Sequence, residues 1–323
     1  MTMFRSALAA ILLACATFAA AQSWPSKALS LVVPFPAGGP TDTLGRIMAE
    51  RMGRVLGQTV IVENVTGAAG TIGVGKVARA TPDGYTIGIG QWGTHVINPA
   101  VYTLNYDVLK DLEPVALIAT NPQLLVVKQG LPVNDLKEFV AWLKEHPDKA
   151  SAGTSGVGSA SHVGGLFFQK ITGTRFQFIP YRGTGPAMQD LLGGQIDLMF
   201  DQAANALPQV RAGKVKAMAV TSPKHLPSAP EIPTVDEAGA PGLYIFIWHA
   251  IWAPKGTPKD IIAKLNTAIV ESLADPATVK RFVDLGQEIP PREQQTPEAL
   301  GSQHRAEIAK WWPLLEAAGV KGE

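Results

Sequence analysis

The chain has 323 residues, 46% hydrophobic and 17% charged, with 25 prolines and 32 glycines. That length calls for two domains, and the hydrophobic share excludes a disordered or fibrous chain. With 28 basic against 27 acidic residues no field favours nucleic acid or an anionic membrane, and a single cysteine excludes a disulfide framework and a thiolate zinc site.

In chain order, Arg5 gives a short positive region, Ala7 to Ala14 an apolar run, and Ala19-Ala20-Ala21 a small-x-small cleavage site. This predicts a leader over residues 1–21, cut after Ala21. Lipidation at Cys15 is the alternative, from an imperfect lipobox at Leu12-Leu13-Ala14-Cys15. Removing the leader takes one arginine and no acid, leaving 27 charges of each sign on an exported, cysteine-free chain.

Beyond the leader, an apolar run over 29–35 ends in a glycine-rich turn. A helix follows with Leu44, Ile47, Met48, Met52 and Val55 on one face and Gly57 as its stop. Strands are predicted at 59–65 and 85–90, with a helix over 71–79 between them. Strand, helix, strand at this spacing argues for a parallel sheet with right-handed crossovers. Residues 115–128 form a long extended run, broken at Asn121-Pro122, that suits a crossing between domains.

The alternation resumes with helices at 135–145, 159–171, 186–192 and 204–211. Strands fall at 151–154, 176–181, 197–201 and 216–221. Residues 243–253 give a second long extended run. Thr257-Pro258-Lys259-Asp260 reads as an N-cap with proline at the first helical position. The helix behind it should bury Ile261, Ile262, Leu265, Ile269 and Leu273. A last helix carries Leu300, Ile308, Trp311, Trp312 and Leu315 on one side. The expectation is an α/β protein of two lobes, each a mainly parallel sheet flanked by helices, joined by two hinge strands. Residues 22–122 and 247–323 make the first lobe and 123–246 the second.

Two loops share one physical design. Pro36-Ala37-Gly38-Gly39-Pro40-Thr41-Asp42 and Ser155-Gly156-Val157-Gly158-Ser159-Ala160-Ser161-His162 each join a strand to a helix N-terminus. Glycine lets the backbone approach a ligand, and the first helical turn offers free N–H groups and partial positive charge. Such a site suits a phosphate or carboxylate without lysine or arginine. Neither loop carries a nucleotide fingerprint. At the same sheet edge, Arg182 is placed to pair with a carboxylate, and Asp201 to hold water, an amine or a backbone N–H. Gln91-Trp92-Gly93-Thr94-His95 is placed to wall the cleft, with Trp92 and Trp248 as candidate cleft aromatics. No two of the six histidines lie closer than 16 residues, so a helix-borne metal pair is excluded. His304 is expected at the surface. The alternative function is an exported serine hydrolase acting on carboxylic esters, in which Ser155, Asp201 and His249 stand in the chain order of that fold.

PFPAGGPTD at 34–42 resembles the first ligand loop of the Bug-type solute-binding proteins of tripartite tricarboxylate transporters. The likeness continues through NPAVY at 98–102, SGVGSASHVGG at 155–165, PYRGTGPAMQDLLGGQIDLMFD at 180–201, AVTS at 219–222, PTVDEAG at 233–239 and WAPKGTP at 252–258. The resemblance implies a two-lobed, type II-like periplasmic binding protein. It would act as a monomer, without catalysis, cofactor or metal, capturing an organic carboxylate for delivery to a membrane permease. By motif match, the carboxylate would be held by Ala37, Gly38, Gly39, Thr41 and Asp42 on one side. Ser155, Gly158, Ser159 and His162 would hold it on the other. Trp92, Thr94, Arg182 and Asp201 are the candidates for the rest of the ligand. Trp92 stands where a small residue is expected and Arg182 where lysine is common. A bulky aromatic there would favour a flat or aromatic acid, and an amine-bearing ligand would give Asp201 a direct role.

Overall fold

The computed structural model describes residues 24–317 and 319–320. The predicted leader, its cleavage after Ala21 and the Cys15 alternative lie outside these residues.

The first sheet forms as the apolar periodicity predicts. Strands β1 (Leu29–Val33), β2 (Val60–Asn64) and β3 (Thr86–Gln91) are parallel in the order β2-β1-β3. Leu29, Leu31 and Val33 face one apolar cluster and Val32 another, so the sheet is covered on both sides as a crossover fold requires. Helix α1 (Pro40–Leu56) buries Leu44, Ile47, Met48 and Met52 against β1 and ends at Gly57 in the left-handed conformation. Helix α2 (Thr71–Ala78) returns the chain to β3. A π-helical turn over Gly93–Ile97 and the short α3 (Asn98–Val101) follow, neither visible in the periodicity.

Strand β4 (Leu112–Lys128) is the long extended run, three residues longer at its start than predicted. Its residues 112–122 pair with β9 (Phe246–Pro254), and residues 123–128 pair with β7 (Leu198–Gln202) and β8 (Val215–Val220). One strand thus serves two groups of partners, changing over at Pro122-Gln123. The second group completes the order β4-β7-β5-β6, with β5 (Ser151–Thr154) parallel to β6 (Gln177–Pro180) and β7. Helices α4 (Leu136–Glu145), α5 (Ala160–Thr172), α6 (Thr184–Leu192) and α7 (Ala203–Arg211) cover it. At the changeover, Thr221 N–H donates to the Gln123 carbonyl (2.8 Å) and Gln123 N–H to Thr221 Oγ1 (2.9 Å). Ile245 N–H donates to the Thr221 carbonyl (3.1 Å), so three chain passages are stitched side by side there.

The C-terminal elements are α8 (Lys259–Ala274), α9 (Pro276–Asp284) and α10 (Pro297–Ala317). The five predicted apolar residues of α8 are buried. Thr257 is not its N-cap: the Thr257 hydroxyl donates to the Pro254 carbonyl, and Pro258 takes the cap position without a side-chain acceptor. Helix α9 is not predicted by the periodicity. Trp312 leaves the buried side of α10 and sends its indole N–H to the Val96 carbonyl (2.9 Å). His304 is also corrected. It is buried, with Nε2 against the His95 carbonyl at 2.8 Å, because α10 packs across the turn that follows β3.

Candidate functional site

Five strand-to-helix junctions meet where the two groups of strands face each other, and they wall a small cavity. The first side supplies Phe35, Pro36, Gly39, Pro40, Thr41 and Gln91; the second supplies Ser155, Thr184, Gly185 and Gln202. None of these ten carries a formal charge. An anion here meets helix N-termini and neutral polar groups, which suffices for carboxylate or phosphate.

Helix α1 begins after Gly39, which caps it without a side-chain acceptor, and Pro40 has no N–H to satisfy. The first-turn N–H groups of Thr41 and Asp42 therefore have neither a cap nor an intrahelical acceptor. The acid one might expect to cap them turns back. Asp42 Oδ2 accepts from Gly38 N–H (2.9 Å) and Arg46 Nε (2.9 Å), and Oδ1 from Asn64 Nδ2 (2.9 Å). Burial alone would raise the Asp42 carboxyl, but the Arg46 bond, Gly38, Asn64 and the Arg46 charge hold it below its ordinary value. Gly38 adopts φ +83°, which aims its N–H at that carboxylate. Ala37 and Gly38 are exposed at the loop tip, whereas Gly39 and Thr41 line the cavity.

The second loop satisfies part of itself and, like the first, leaves two first-turn N–H groups, those of Ala160 and Ser161, without an acceptor among the described residues. Ser159 caps α5, accepting from His162 N–H at 3.4 Å. Gly158 N–H donates to His162 Nδ1 (3.0 Å), and Ser155 N–H to Ser161 Oγ (2.9 Å). Burial pushes His162 down to about 4, so it is neutral and its Nδ1 is an acceptor. Of this loop's predicted residues only Ser155 reaches the cavity wall; Gly158, Ser159 and His162 stand behind it.

The remaining candidates sort by burial and bonding. Trp92 is corrected: it is wholly buried, edge-on to Trp311 at 4.8 Å between ring centres, and packs the core instead of the cleft edge. Trp248 is likewise buried, tilted against Trp252. Thr94 lies beneath the cavity, its Oγ1 accepting from Gln91 N–H (3.0 Å) and donating to the Gln91 carbonyl (2.9 Å). Arg182 is exposed and outside the lining. Asp201 is wholly buried behind the wall, accepting from Gln202 N–H (2.8 Å), Asn205 Nδ2 and the Thr184 hydroxyl. Burial pushes its carboxyl up to about 7 against the pull of those donors.

Sequence reasoning missed Gln202 and Thr184. Gln202 follows Asp201 at the end of β7, and side chains alternate faces along a strand. With Asp201 behind the wall, Gln202 had to face the cavity. Thr184 is the first residue of α6, two beyond the arginine that drew the attention.

The proposed hydrolase residues do not form a relay. Ser155 Oγ lies against Ser161 Oγ (3.3 Å), Asp201 is bonded as above, and His249 Nε2 faces Thr41 Oγ1 (3.3 Å). A triad histidine needs an acid at Nδ1, and His249 Nδ1 has no partner among the described residues. A second, smaller and mainly apolar cavity is walled by Val32, Val74, Val77, Leu112, Trp252 and His95, the last with its Nε2 buried and without a partner among the described residues.

The two sides already touch. The Tyr102 hydroxyl donates to the Val157 carbonyl, and a Cβ on Gly183 would stand 2.6 Å from Pro36 Cδ. The arrangement is a closed cleft.

Comparison with known proteins agrees with this architecture. A periplasmic binding protein, BugD, superposes with a TM-score of 0.89 at 42% identity, covering 93% of this chain and all of that one. MatC from Rhodopseudomonas palustris, solved with malate, superposes at 0.87 with 39% identity over 90% of this chain and all of its own. A UPF0065 protein from the TAR-I ttuE-ttuC' intergenic region of Agrobacterium vitis is 38% identical over 93% of this chain and 87% of its length. BugD is a periplasmic binding protein and MatC carries bound malate, and neither supports a hydrolase. The tripartite tricarboxylate transporter family receptor model matches residues 44–320, and the chain belongs to that family of solute-binding proteins.

Proposed function

We propose that the protein captures a small organic carboxylate between its lobes in the periplasm and delivers it to the membrane permease of a tripartite tricarboxylate-type transporter. It acts as a monomer, after removal of the leader at Ala21. The lobes comprise residues 22–122 with 247–323, and 123–246, and they hinge where β4 changes partners at Pro122-Gln123. The single observation that carries this reading is a cavity between helix N-termini whose lining holds no charged side chain. One carboxylate of the ligand takes the free N–H groups at Thr41 and Asp42, and closure of the second lobe brings Ser155, Thr184 and Gln202 onto it. Each hydrogen bond to a charged group contributes about 1.5–3 kcal/mol, and three or four sustain a micromolar Kd, about −8 kcal/mol, once desolvation is set against them. The malate of MatC is a ligand of this chemistry.

A thermal-shift screen of residues 22–323 against dicarboxylates of increasing length, citrate, benzoates, phthalate isomers and acidic amino acids tests the reading. Stabilisation of a few degrees by one carboxylate class is the expected result. A flat response across the library would remove its support.

A further inference from the structure

Two polar side chains of the cavity, Gln91 and Thr41, are not free to choose between donating and accepting. Gln91 Oε1 accepts the Gly93 N–H at 2.8 Å, which leaves its Nε2 hydrogens for the cavity. Asn121 Nδ2 is directed by the Ile247 carbonyl (3.3 Å) and Gln287 Oε1 (3.0 Å), and it also reaches Gln202 Oε1 at 3.4 Å. An NH2 group has two hydrogens and the two shorter contacts take them, so the Gln202 amide stays free to turn. Thr41 Oγ1 lies 3.3 Å from His249 Nε2, in a ring whose Nδ1 is buried without a partner among the described residues. An orphaned N–H is rarer and costlier than an orphaned lone pair, so the ring proton sits on Nε2 and donates to Thr41. The Thr41 hydroxyl hydrogen is then left for the cavity. His249 reaches this position because β9 places it directly opposite Gln91 on β3.

We propose that His249 and Gly93 fix Thr41 and Gln91 as hydrogen-bond donors, so that the site accepts carboxylates without an ammonium group and rejects amino acids. An ammonium group brings three N–H donors and a positive charge into a space walled by hydrogens and the positive ends of helices. The acids carried by the same junctions give it nothing: Asp42 faces Arg46, and Asp201 is buried behind Gln202 and Thr184. The Thr184 hydroxyl hydrogen goes to Asp201, leaving a neutral oxygen that can accept from a ligand hydroxyl but brings no counter-charge to an ammonium ion. Specificity here is negative as much as positive: the wrong ligand is refused by unpaired like-signed groups. Asp201 therefore acts behind the wall instead of pairing with a ligand amine.

This inference rests on the carboxylate reading, and calorimetry on residues 22–323 separates the two. The probes are matched pairs differing only by an amino group: succinate and aspartate, glutarate and glutamate, adipate and 2-aminoadipate, with malate as the hydroxyl control. Any other carboxylate retained by the thermal screen is paired with its 2-amino derivative. In every pair that binds, the amino acid should be at least tenfold weaker, while malate stays within severalfold of succinate. An amino acid binding as tightly as its partner overturns the inference and leaves the carboxylate reading standing; silence from every probe overturns both. Gln202→Glu puts a charged acceptor into the wall, so it should lose the dicarboxylate at least tenfold and narrow or reverse the discrimination. An unchanged ratio in the folded variant contradicts the inference. A measurement without substitution stands beside it: 15N NMR of His249 should show a protonated Nε2 and a bare Nδ1, and the opposite tautomer would overturn the role given to Thr41.

Discussion

The two glycine-rich loops look interchangeable in the sequence, yet they differ in how much of themselves they bond internally and in what they present to the cavity. The Pro36–Asp42 loop leaves the first turn of α1 open, because Gly39 brings no capping oxygen and Asp42 is turned back onto Gly38, Arg46 and Asn64. In the Ser155–His162 loop, Ser159 caps the His162 N–H, Ser161 and His162 accept from Ser155 and Gly158, and the open Ala160 and Ser161 N–H groups lie outside the lining, so only Ser155 reaches the cavity. The second lobe contributes through α6 and α7 instead, by way of Thr184, Gly185 and Gln202. A helix N-terminus binds an anion only when nothing in the chain has already claimed its N–H groups and they reach the cavity. Glycine content alone does not reveal which case applies.

This contrast is breakable by substitution. Gly39 has φ −81° and ψ 171°, open to any residue, and a Cβ there would meet only the Pro36 carbonyl oxygen at 3.6 Å. Gly39→Asp should therefore cap α1 and raise stability by a few tenths of a kcal/mol, while lowering carboxylate affinity about 100-fold by seizing the donors and adding a like charge. Unchanged affinity by calorimetry would mean that the open turn is not the anion site. Thr41→Val removes one donor and should weaken binding about tenfold, and by orphaning the buried His249 N–H it should also lower stability by about 1–3 kcal/mol. On the other loop, Ser159→Ala should cost about 1 kcal/mol of stability in denaturant titration and leave affinity within about twofold. A large affinity loss there would erase the difference between the loops.

The smallest expected effect is on pH dependence. Asp201 has its folded pKa pushed up to about 7 from an ordinary value of 3.8, so the folded state holds a proton that the unfolded state has released. Its contribution to stability is fully present below about 4 and is lost as pH rises to about 7. An anion bound nearby raises that pKa further, so carboxylate affinity should fall as pH rises through 7. His249 and His162, pushed down to about 3 and about 4 by burial, stay neutral over that range and do not mask the effect. Asp201→Asn should flatten both profiles above pH 5; a slope that survives the substitution assigns it elsewhere.

Most of the fold was legible because each element has its own apolar period. The Leu44, Ile47, Met48, Met52 stripe and the Ile261 to Leu273 stripe each announce the buried face of a helix. The long run ending at Lys128 announces a strand with two sets of partners. The π-helical turn after Gln91 and helix α9 were not legible, since their shape comes from packing against α10 and α8 and not from a local repeat. In the cavity wall, the positions of Gly39, Thr41 and Ser155 follow from the strand–turn–helix pattern. Trp92 and Arg182 were chosen for size and charge, yet an aromatic buries its area wherever a core admits it and a loop arginine gains most from water. Gln202, the residue carrying the wall of the second lobe, has no motif: its role follows from which side of β7 faces the cleft.

The central claim is that backbone N–H groups at the start of α1, and no cationic side chain, hold the ligand carboxylate. Amide NMR of residues 22–323, titrated with the carboxylate giving the largest thermal shift, tests it most directly. The Gly39, Thr41 and Asp42 amide protons should move strongly downfield at saturation while the Arg182 guanidinium signals stay in place. Movement of Arg182 with those three amides unmoved would contradict the account.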